Sequence, residues 1–320
     1  MDHSIAIPAL VAFFITLILG PGLISFLHKL KFGQFIREEG PESHLKKSGT
    51  PTMGGIVFIL ASIVVVYVLN FSFFQNPYVN LLTFAFLGFG LIGFLDDYIK
   101  VVMKRNLGLT PAQKMLGQIV ITAVFAFYMV NHSGLGTDVI IPFSGGKEWH
   151  LGILYIPILF VVVLGTVNGA NFTDGLDGLA ASVTTLIAVF LTVIAVGTNA
   201  GIHPVICAVI GALLGFLCFN THPAKVFMGD TGSLALGGFV VSAAYMLKIP
   251  LFIPIVAFIY FIEVLSVIIQ VTYYKKTKKR IFKMAPIHHH FELSGWPETK
   301  VVSIFSIVTA VLCLIGMLAY

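Results

Sequence analysis

Three short polar motifs, each next to an apolar run, carry acidic residues. Asp96 and Asp97 directly follow an apolar run, and Asp230 lies between glycines in the segment 227–233. In the segment 168–178, polar residues recur at every third position: Asn168, Asn171, Asp174 and Asp177. Carboxylates are Mg²⁺ ligands and proton acceptors, and glycines let a ligand approach the backbone closely. The motifs therefore predict a site for Mg²⁺-assisted phosphoryl transfer.

Each acidic motif also has a purely structural interpretation. Asp96 and Asp97 are compatible with solvated acids at a membrane interface, neutralised by the basic residues that follow them. Asp230 is equally compatible with an N-cap, and the segment 168–178 with the caps and turns of a helix connection. If 168–178 is helical, its three-residue spacing places its polar groups on one face. Adjacent helical residues diverge by about 100°, so Asp96 and Asp97 are expected to meet different partners.

Three consecutive histidines, His288, His289 and His290, lie in the segment 286–292. Consecutive imidazoles point in different directions, so phosphate or substrate contacts are favoured over shared ligation of one metal ion. A solvated interfacial loop is the alternative. The preceding basic run at 275–280 is more typical of a topology determinant than of an active site.

The elements that must position these residues are membrane helices. Of the 320 residues, 58% are hydrophobic and 10% are charged, and the mean hydropathy is +0.98, which is outside the range of soluble proteins. Continuous apolar runs favour helices over a β-barrel. A net charge of +5 is explained by basic loops, so nucleic-acid binding is not expected. The 3 scattered cysteines indicate neither a disulfide framework nor a zinc site.

Apolar runs of about 15 to 25 residues predict about ten transmembrane helices in an all-α integral membrane protein. The whole chain, 1–320, is predicted to be a single polytopic domain. The predicted spans are 5–26, 53–69, 81–95, 115–130, 151–167, 179–196, 202–219, 234–247, 251–272 and 301–319.

The basic residues predict how these spans are oriented. Every Lys and Arg except Lys147 and Lys248 lies in a loop after an odd-numbered span. Cytoplasmic loops hold the excess of Lys and Arg, so the odd-numbered loops are predicted to be cytoplasmic and both termini to lie outside. The acidic motifs and the histidines fall in the same loops, which predicts an active site at the cytoplasmic face.

Several segments together closely resemble the bacterial phospho-N-acetylmuramoyl-pentapeptide transferase family. They are Ser-Gly-Thr-Pro-Thr-Met-Gly-Gly at 48–55, the Asp96-Asp97 pair, 168–178, Phe219-Asn220, 223–233 and 286–292. The resemblance extends over essentially the whole chain. The paired aspartates are shared with the wider polyprenyl-phosphate N-acetylhexosamine-1-phosphate transferase superfamily, whereas the histidine triplet and Pro-Thr-Met-Gly-Gly mark the muramoyl-pentapeptide branch.

The resemblance implies a reaction and its partners. It implies transfer of phospho-N-acetylmuramoyl-pentapeptide from UDP-MurNAc-pentapeptide to undecaprenyl phosphate, which gives lipid I and UMP with Mg²⁺. It further implies a multi-pass protein of the bacterial inner membrane, a homodimer, and binding of nucleoside antibiotics.

The resemblance also implies roles for individual residues. Asp230 is the first choice as Mg²⁺ ligand and Asp97 the second, while Asp96 activates the lipid phosphate; a two-step path through an aspartyl-phosphate stays open. Asn171, Asp174, Asp177, Asn220 and Phe227 are expected to line the nucleotide pocket. His288, His289 and His290 are expected to meet the pyrophosphate and sugar, with His288 among the catalytic residues. Lys47, Lys100, Lys104 and Lys114 are candidate phosphate contacts, and Glu263 is given no role.

Two other functions compete with this interpretation. A sibling polyprenyl-phosphate GlcNAc-1-phosphate transferase shares the acidic residues but not the histidine triplet. A secondary transporter would carry its acids near the bilayer midplane on broken helices. Here only Glu263 lies within a predicted span, which favours the enzyme.

Overall fold

The computed structural model describes residues 3–29, 47, 49–68, 75–103 and 108–320, and its architecture is all-α apart from one small hairpin. The α-helices are α1 (His3–Lys29), α2 (Gly55–Val68), α3 (Pro77–Val102), α4 (Pro111–Asn131), α5 (Tyr155–Thr173), α6 (Leu179–Gly197), α7 (His203–Asn220), α8 (Gly229–Met246), α9 (Ile253–Val256), α10 (Phe258–Thr277), α11 (Ile287–Glu292) and α12 (Glu298–Ala319). The strands are β1 (Asp138–Ile140) and β2 (Glu148–His150), which pair antiparallel. Lys104 lies outside the described residues.

Every predicted span overlaps a helix. Within the described part of the chain, 8 helices are long and apolar enough to cross a membrane: α1, α3, α4, α5, α6, α7, α10 and α12. The all-α membrane fold is therefore confirmed, while the count of ten spans and their orientation stay predictions.

One predicted span, 251–272, is interrupted. A 3₁₀ turn at Pro250–Phe252 and the short α9 precede α10, and Ala257 between α9 and α10 leaves the helical region with φ −106° and ψ 34°. Pro250 and Pro254 each stand at the start of one of the two short helices. Proline has no N–H to continue a preceding helix, so Pro254 accounts for the separation of the 3₁₀ turn from α9, whereas the break at Ala257 has no proline beside it.

Helix α8 is the central element of the fold. Every residue from Thr231 to Met246 is buried, and the helix packs chiefly against α3 and α5. Glycines allow this close packing, because a Cβ at Gly93 of α3 would overlap the Asp230 backbone, and one at Gly237 would overlap Val167 of α5. The N-terminus of α8 is thereby held directly against the end of α3 that carries the paired aspartates.

The hairpin closes the opposite end of the bundle. The Ile140 amide donates to the Lys248 carbonyl at 2.8 Å, and the Phe143 amide donates to the Ala319 carbonyl at 2.7 Å. Lys248 follows α8 and Ala319 ends α12. Because α8 runs the length of the bundle from Asp230 to this hairpin, the acidic motifs and the hairpin lie at opposite ends.

Candidate active site

Asp230, in the first turn of α8, is the centre of the site. Its Oδ2 accepts hydrogen bonds from Lys100 Nζ at 2.9 Å and Lys114 Nζ at 3.0 Å, and its Oδ1 accepts one from Asn171 Nδ2 at 2.8 Å. The donors come from α3, α4 and α5, so four helices converge on one carboxylate. All three donors are side chains, which can exchange for a ligand without breaking any backbone hydrogen bond.

Asp97 is buried and holds the start of α8 in place. Its Oδ2 accepts from the Thr231 amide at 2.9 Å and the Thr231 hydroxyl at 2.7 Å, and its Oδ1 accepts from the Asp230 amide at 3.3 Å. The first amides of a helix have no partner within that helix, and they carry partial positive charge. Asp97 therefore caps α8 from a neighbouring helix, whereas the predicted alternative of Asp230 as an N-cap is wrong because Met228 occupies that position.

Asp96 is also buried, but it meets different partners, as its helical position predicts. Its Oδ1 accepts from the Leu109 amide at 2.7 Å, and its Oδ2 forms an ion pair with Lys100 Nζ. The Lys100 ammonium therefore bridges Asp96 and Asp230. One carboxylate oxygen from each of Asp96, Asp97 and Asp230 lies within 4.8 Å of the other two. We call these three aspartates, with Lys100 and Lys114, the Asp230 cluster.

A second charged cluster lies around Asp177. Lys47 Nζ donates to Asp177 Oδ1 at 2.7 Å and to Glu298 Oε1 at 2.6 Å, and His222 Nδ1 lies 3.0 Å from Asp177 Oδ2. Glu298 also accepts the Asp177 amide at 2.6 Å. The Lys47 ammonium lies 6.0 Å from the centre of the Phe227 ring. We call Lys47, Asp177, His222 and Glu298 the Asp177 cluster. His222 and Glu298 are not among the residues predicted from sequence to form the site.

The polar row in 168–178 does not form one helix face. Helix α5 ends at Thr173, and Gly178 adopts a left-handed conformation with φ +78° immediately before α6. Asn168 therefore bonds with Gln118, Asn171 reaches the Asp230 cluster, and Asp177 reaches the other cluster. The turn distributes neighbouring residues between two sites instead of aligning them.

Asp174 lies at the end of α5, between the two clusters. Burial raises the pKa of its carboxyl group well above the ordinary value, and the negative charges of Asp230, Asp97 and Asp177 raise it further. A hydrogen bond from the Gly229 amide acts in the opposite direction. The surroundings therefore shift this group toward its protonated form, and a protonated carboxyl group can donate a hydrogen bond to a substrate oxygen.

Asn220 joins the loops that flank the nucleotide-pocket candidates. Its Oδ1 accepts from the Gly178 amide at 3.1 Å, and its Nδ2 donates to the Val226 carbonyl at 2.9 Å. The Phe227 amide in turn donates to the Pro51 carbonyl at 2.8 Å. The Asn220 side chain, bonded to two backbone segments, thus helps to set the position of the Phe227 loop.

The three histidines point to different partners, as predicted. His288 Nδ1 lies 3.0 Å from Glu263 Oε1, and His289 Nδ1 lies 2.8 Å from Glu292 Oε2. His290 Nδ1 accepts the Lys283 amide at 3.1 Å. Only one histidine is therefore paired with an acid inside the bundle.

Comparison with known proteins identifies the family. The sequence profile of glycosyl transferase family 4 matches residues 78–248, and the phospho-N-acetylmuramoyl-pentapeptide-transferase signature 1 matches residues 47–59. A phospho-N-acetylmuramoyl-pentapeptide-transferase of Clostridium novyi is 54% identical over 97% of this chain and 95% of its own length. One of Clostridium kluyveri is 52% identical over 99% of both chains. The chain belongs to the phospho-N-acetylmuramoyl-pentapeptide-transferase family.

Membership in the phospho-N-acetylmuramoyl-pentapeptide-transferase family decides between the branches that the paired aspartates left open. The signature covers Lys47 and the Pro-Thr-Met-Gly-Gly segment, and this segment is one of the two that mark the muramoyl-pentapeptide branch. A further relative in Clostridium beijerinckii, also named a phospho-N-acetylmuramoyl-pentapeptide-transferase, is 50% identical over 100% of this chain and 97% of its own length.

In this member of the transferase family, most of the predicted site residues fall into the two clusters. Those joined by hydrogen bonds or ion pairs around Asp230 are Asp96, Asp97, Lys100, Lys114 and Asn171. Lys47 and Asp177 belong to the second cluster, next to Phe227. His288 packs against Gly175, in the turn between Asp174 and Asp177. His289 and His290 bond with their own neighbours in sequence.

Proposed function

We propose that the chain transfers phospho-N-acetylmuramoyl-pentapeptide from UDP-MurNAc-pentapeptide to undecaprenyl phosphate in the bacterial inner membrane, giving lipid I and UMP. The observation that carries this proposal is the Asp230 cluster, three gathered carboxylates with two lysines, in a chain of the phospho-N-acetylmuramoyl-pentapeptide-transferase family. One phosphoanhydride is broken and one is made, so catalysis rests mainly on positioning and on charge neutralisation.

The residues of the Asp230 cluster fit a Mg²⁺ ion. The donor set consists of carboxylate oxygens, the hard ligands that Mg²⁺ prefers. Asp96 and Asp230 already hold one positive charge between them, the Lys100 ammonium. Asp230 is the first ligand in this proposal, because a metal ion would replace hydrogen bonds from side chains and leave the backbone hydrogen bonds intact. Asp97 is the second ligand. When bound, the ion would neutralise charge on the phosphate oxygens.

Charge balance explains why lysines accompany the acids. With all three carboxylates ionised, the two ammonium groups would leave the cluster one net negative charge, and that charge would repel an anionic phosphate. Lys100 and Lys114 are both bonded to Asp230 Oδ2. If Asp230 held a Mg²⁺ ion, both ammonium groups would be available to the phosphates of the substrates. Asp96, still held by the Leu109 amide, keeps its other oxygen directed into the cluster, where it orients and deprotonates the lipid phosphate.

The second cluster forms the nucleotide end of the site in this proposal. Phe227 offers an aromatic face on which a uracil ring can stack, and Asn220 and Asp177 set the loops on either side of it. Asn171 and Asp174 connect this pocket to the Asp230 cluster. His289 and His290 lie on the same short helix as His288, and we place them at the sugar and pyrophosphate.

UMP release by the purified protein tests the proposal. The protein receives undecaprenyl phosphate with Mg²⁺, and UDP-MurNAc-pentapeptide is compared with UDP-GlcNAc. We expect release only from the muramoyl substrate, abolished by EDTA and restored by excess Mg²⁺. Release from UDP-GlcNAc alone would assign the chain to the sibling activity. Release that persists in EDTA would show that the reaction does not require a metal ion.

A further inference from the structure

A glutamate and a histidine form a buried pair that the proposed reaction has not used. Glu263 lies in the apolar helix α10 and is 0% exposed, and His288 of α11 is 1% exposed. Glu263 Oε1 lies 3.0 Å from His288 Nδ1. Within the described residues, the other two atoms of the pair, Glu263 Oε2 and His288 Nε2, have no hydrogen-bond partner.

Such a pair is costly, so a structural role alone explains it poorly. Placing a carboxylate inside a membrane helix costs free energy even when one of its oxygens is paired, and apolar side chains would pack α10 without that cost. A Glu263 carboxylate beside a protonated His288 is electroneutral. In that form the imidazole carries a hydrogen on Nε2 as well as on Nδ1, which makes Nε2 a hydrogen-bond donor.

The free nitrogen is directed toward the active-site turn. His288 Nε2 lies against Gly175, so closely that a Cβ added to Gly175 would overlap the His288 imidazole. Gly175 follows Asp174, whose carboxyl group lies near the charges of Asp230 and Asp177. The donor therefore faces the segment that connects the two clusters.

The loop between Glu263 and His288 is fixed to α10 at a second point. Gln270 Oε1 accepts the Ile281 and Phe282 amides, each at 3.0 Å, and Gln270 Nε2 donates to the Phe282 carbonyl at 3.0 Å. Glu263 therefore attaches α11 to α10 directly, and Gln270 attaches the loop that precedes α11. This double attachment holds the imidazole in one orientation before any substrate binds.

We infer that Glu263 is a positioning residue for the transfer reaction: it accepts the Nδ1 hydrogen of the doubly protonated His288 imidazole and fixes the orientation of the ring, so that the second hydrogen, on Nε2, is donated to an anionic oxygen of the pyrophosphate substrate. This inference rests on the proposed function. In metal sites, outer partners that orient a histidine through its second nitrogen contribute about tenfold to hundredfold to affinity or activity. We expect a loss of the same order when the Glu263 carboxylate is removed.

The test compares Glu263→Gln with Glu148→Gln, which makes the same chemical change at an exposed residue bonded to Lys248 at the opposite end of the bundle. We expect Glu263→Gln to lower kcat for UMP release about tenfold to hundredfold with little change in KM, and Glu148→Gln to match the wild type. Glu263→Asp should recover part of the loss. An unchanged kcat in Glu263→Gln would overturn the inference.

Coupling to His288 distinguishes positioning from general destabilisation. If Glu263 acts through the imidazole, the double variant Glu263→Gln/His288→Gln should be no slower than His288→Gln alone; losses that multiply would overturn the inference. ¹⁵N NMR of histidine-labelled protein gives a readout without turnover. We expect the His288 ring signals to change in Glu263→Gln and to be retained in Glu148→Gln, and unchanged signals would contradict the pairing.

The two proposals fail in different ways. Absence of UMP release by the wild-type protein would defeat the proposed function, while the NMR comparison would still show whether Glu263 sets the state of His288. Wild-type activity with a fully active Glu263→Gln variant would defeat only the positioning role.

Discussion

The Asp230 and Asp177 clusters contain similar residues but bond them differently. Among the described residues, the donors to the Asp230 carboxylate are the side chains of Lys100, Lys114 and Asn171. The Asp177 carboxylate accepts the Ala224 amide at 3.1 Å as well as Lys47, and its own amide is bonded to Glu298. The first arrangement can exchange partners during a reaction, whereas the second holds backbone segments in fixed positions. Charge and burial alone would not have separated the two.

The comparison predicts its largest effect at Asp230. Asp230→Asn removes the charge that holds both lysines and, in the proposed function, the metal, so we expect kcat to fall by about 10³-fold or more while the protein stays folded. UMP release and thermal unfolding measure the two properties. Asp138→Asn in the hairpin, where the carboxylate bonds with His150, serves as the control. Substantial Mg²⁺-dependent turnover in Asp230→Asn would contradict the assignment of the chemical step to the Asp230 cluster.

Asp96→Asn should have the next largest effect. The Asn carbonyl can still accept the Leu109 amide, so the loop keeps its position, but the group can no longer take a proton. We expect kcat to fall by about 10² to 10⁴-fold, with a smaller change in KM. Steady-state kinetics at varied undecaprenyl phosphate concentrations separate the two terms. If kcat is unchanged and only KM rises, Asp96 binds the lipid and takes no part in the chemical step.

Gly175→Ala tests the segment between the clusters. The added Cβ would overlap the His288 imidazole, so the ring or the turn must shift, and we expect activity to fall by about tenfold to hundredfold. Gly165→Ala is the matched control, because a Cβ there meets nothing within 4 Å and alanine favours a helix over glycine. Equal activity of both variants would show that the turn adjusts without cost.

The smallest effect is expected at Glu298. Glu298→Gln keeps an acceptor for the Asp177 amide but loses the charge that pairs with Lys47. Because this cluster shapes the pocket, KM for the UDP-linked substrate should rise by up to about tenfold, or 1.4 kcal/mol, with kcat retained. Kinetics at varied UDP-MurNAc-pentapeptide concentrations measure this change. A loss confined to kcat would show that Glu298 contributes to the chemical step, and would contradict the proposal that the Asp177 cluster only shapes the pocket.

The all-α membrane fold was predictable from the sequence because it depends on local signals, and local signals also drew attention to the acids. Apolar runs mark membrane helices whatever their neighbours are, and aspartates flanked by glycines are rare enough near a membrane to indicate a site. The exact break within 251–272 was missed, although Pro250 and Pro254 were the signals for it. The spacing of 168–178 suggested one helix face, but the left-handed Gly178 belongs to a turn that spacing alone does not reveal.

Long-range pairs were not predictable in the same way. Glu298 and Asp177 are 121 residues apart, and Glu263 and His288 are 25 apart, so their contact depends on how helices pack. One signal was present: a single carboxylate within an apolar span is by default a functional candidate, and Glu263 met that description. Sequence could indicate that Glu263 needs a partner, but only the packing of α10 against α11 identifies His288.

The burial of α8 has a consequence for biosynthesis. This helix carries Asp230, yet it is not among the 8 described helices that are apolar and long enough to cross a membrane unaided. Its main neighbours, α3 and α5, precede it in the chain, so they have left the ribosome before α8 is made. We expect α8 to enter the bilayer by packing into a cleft that α3 and α5 have already formed. A nascent chain therefore acquires its central aspartate only after the surrounding scaffold has assembled, and incomplete chains hold no working site.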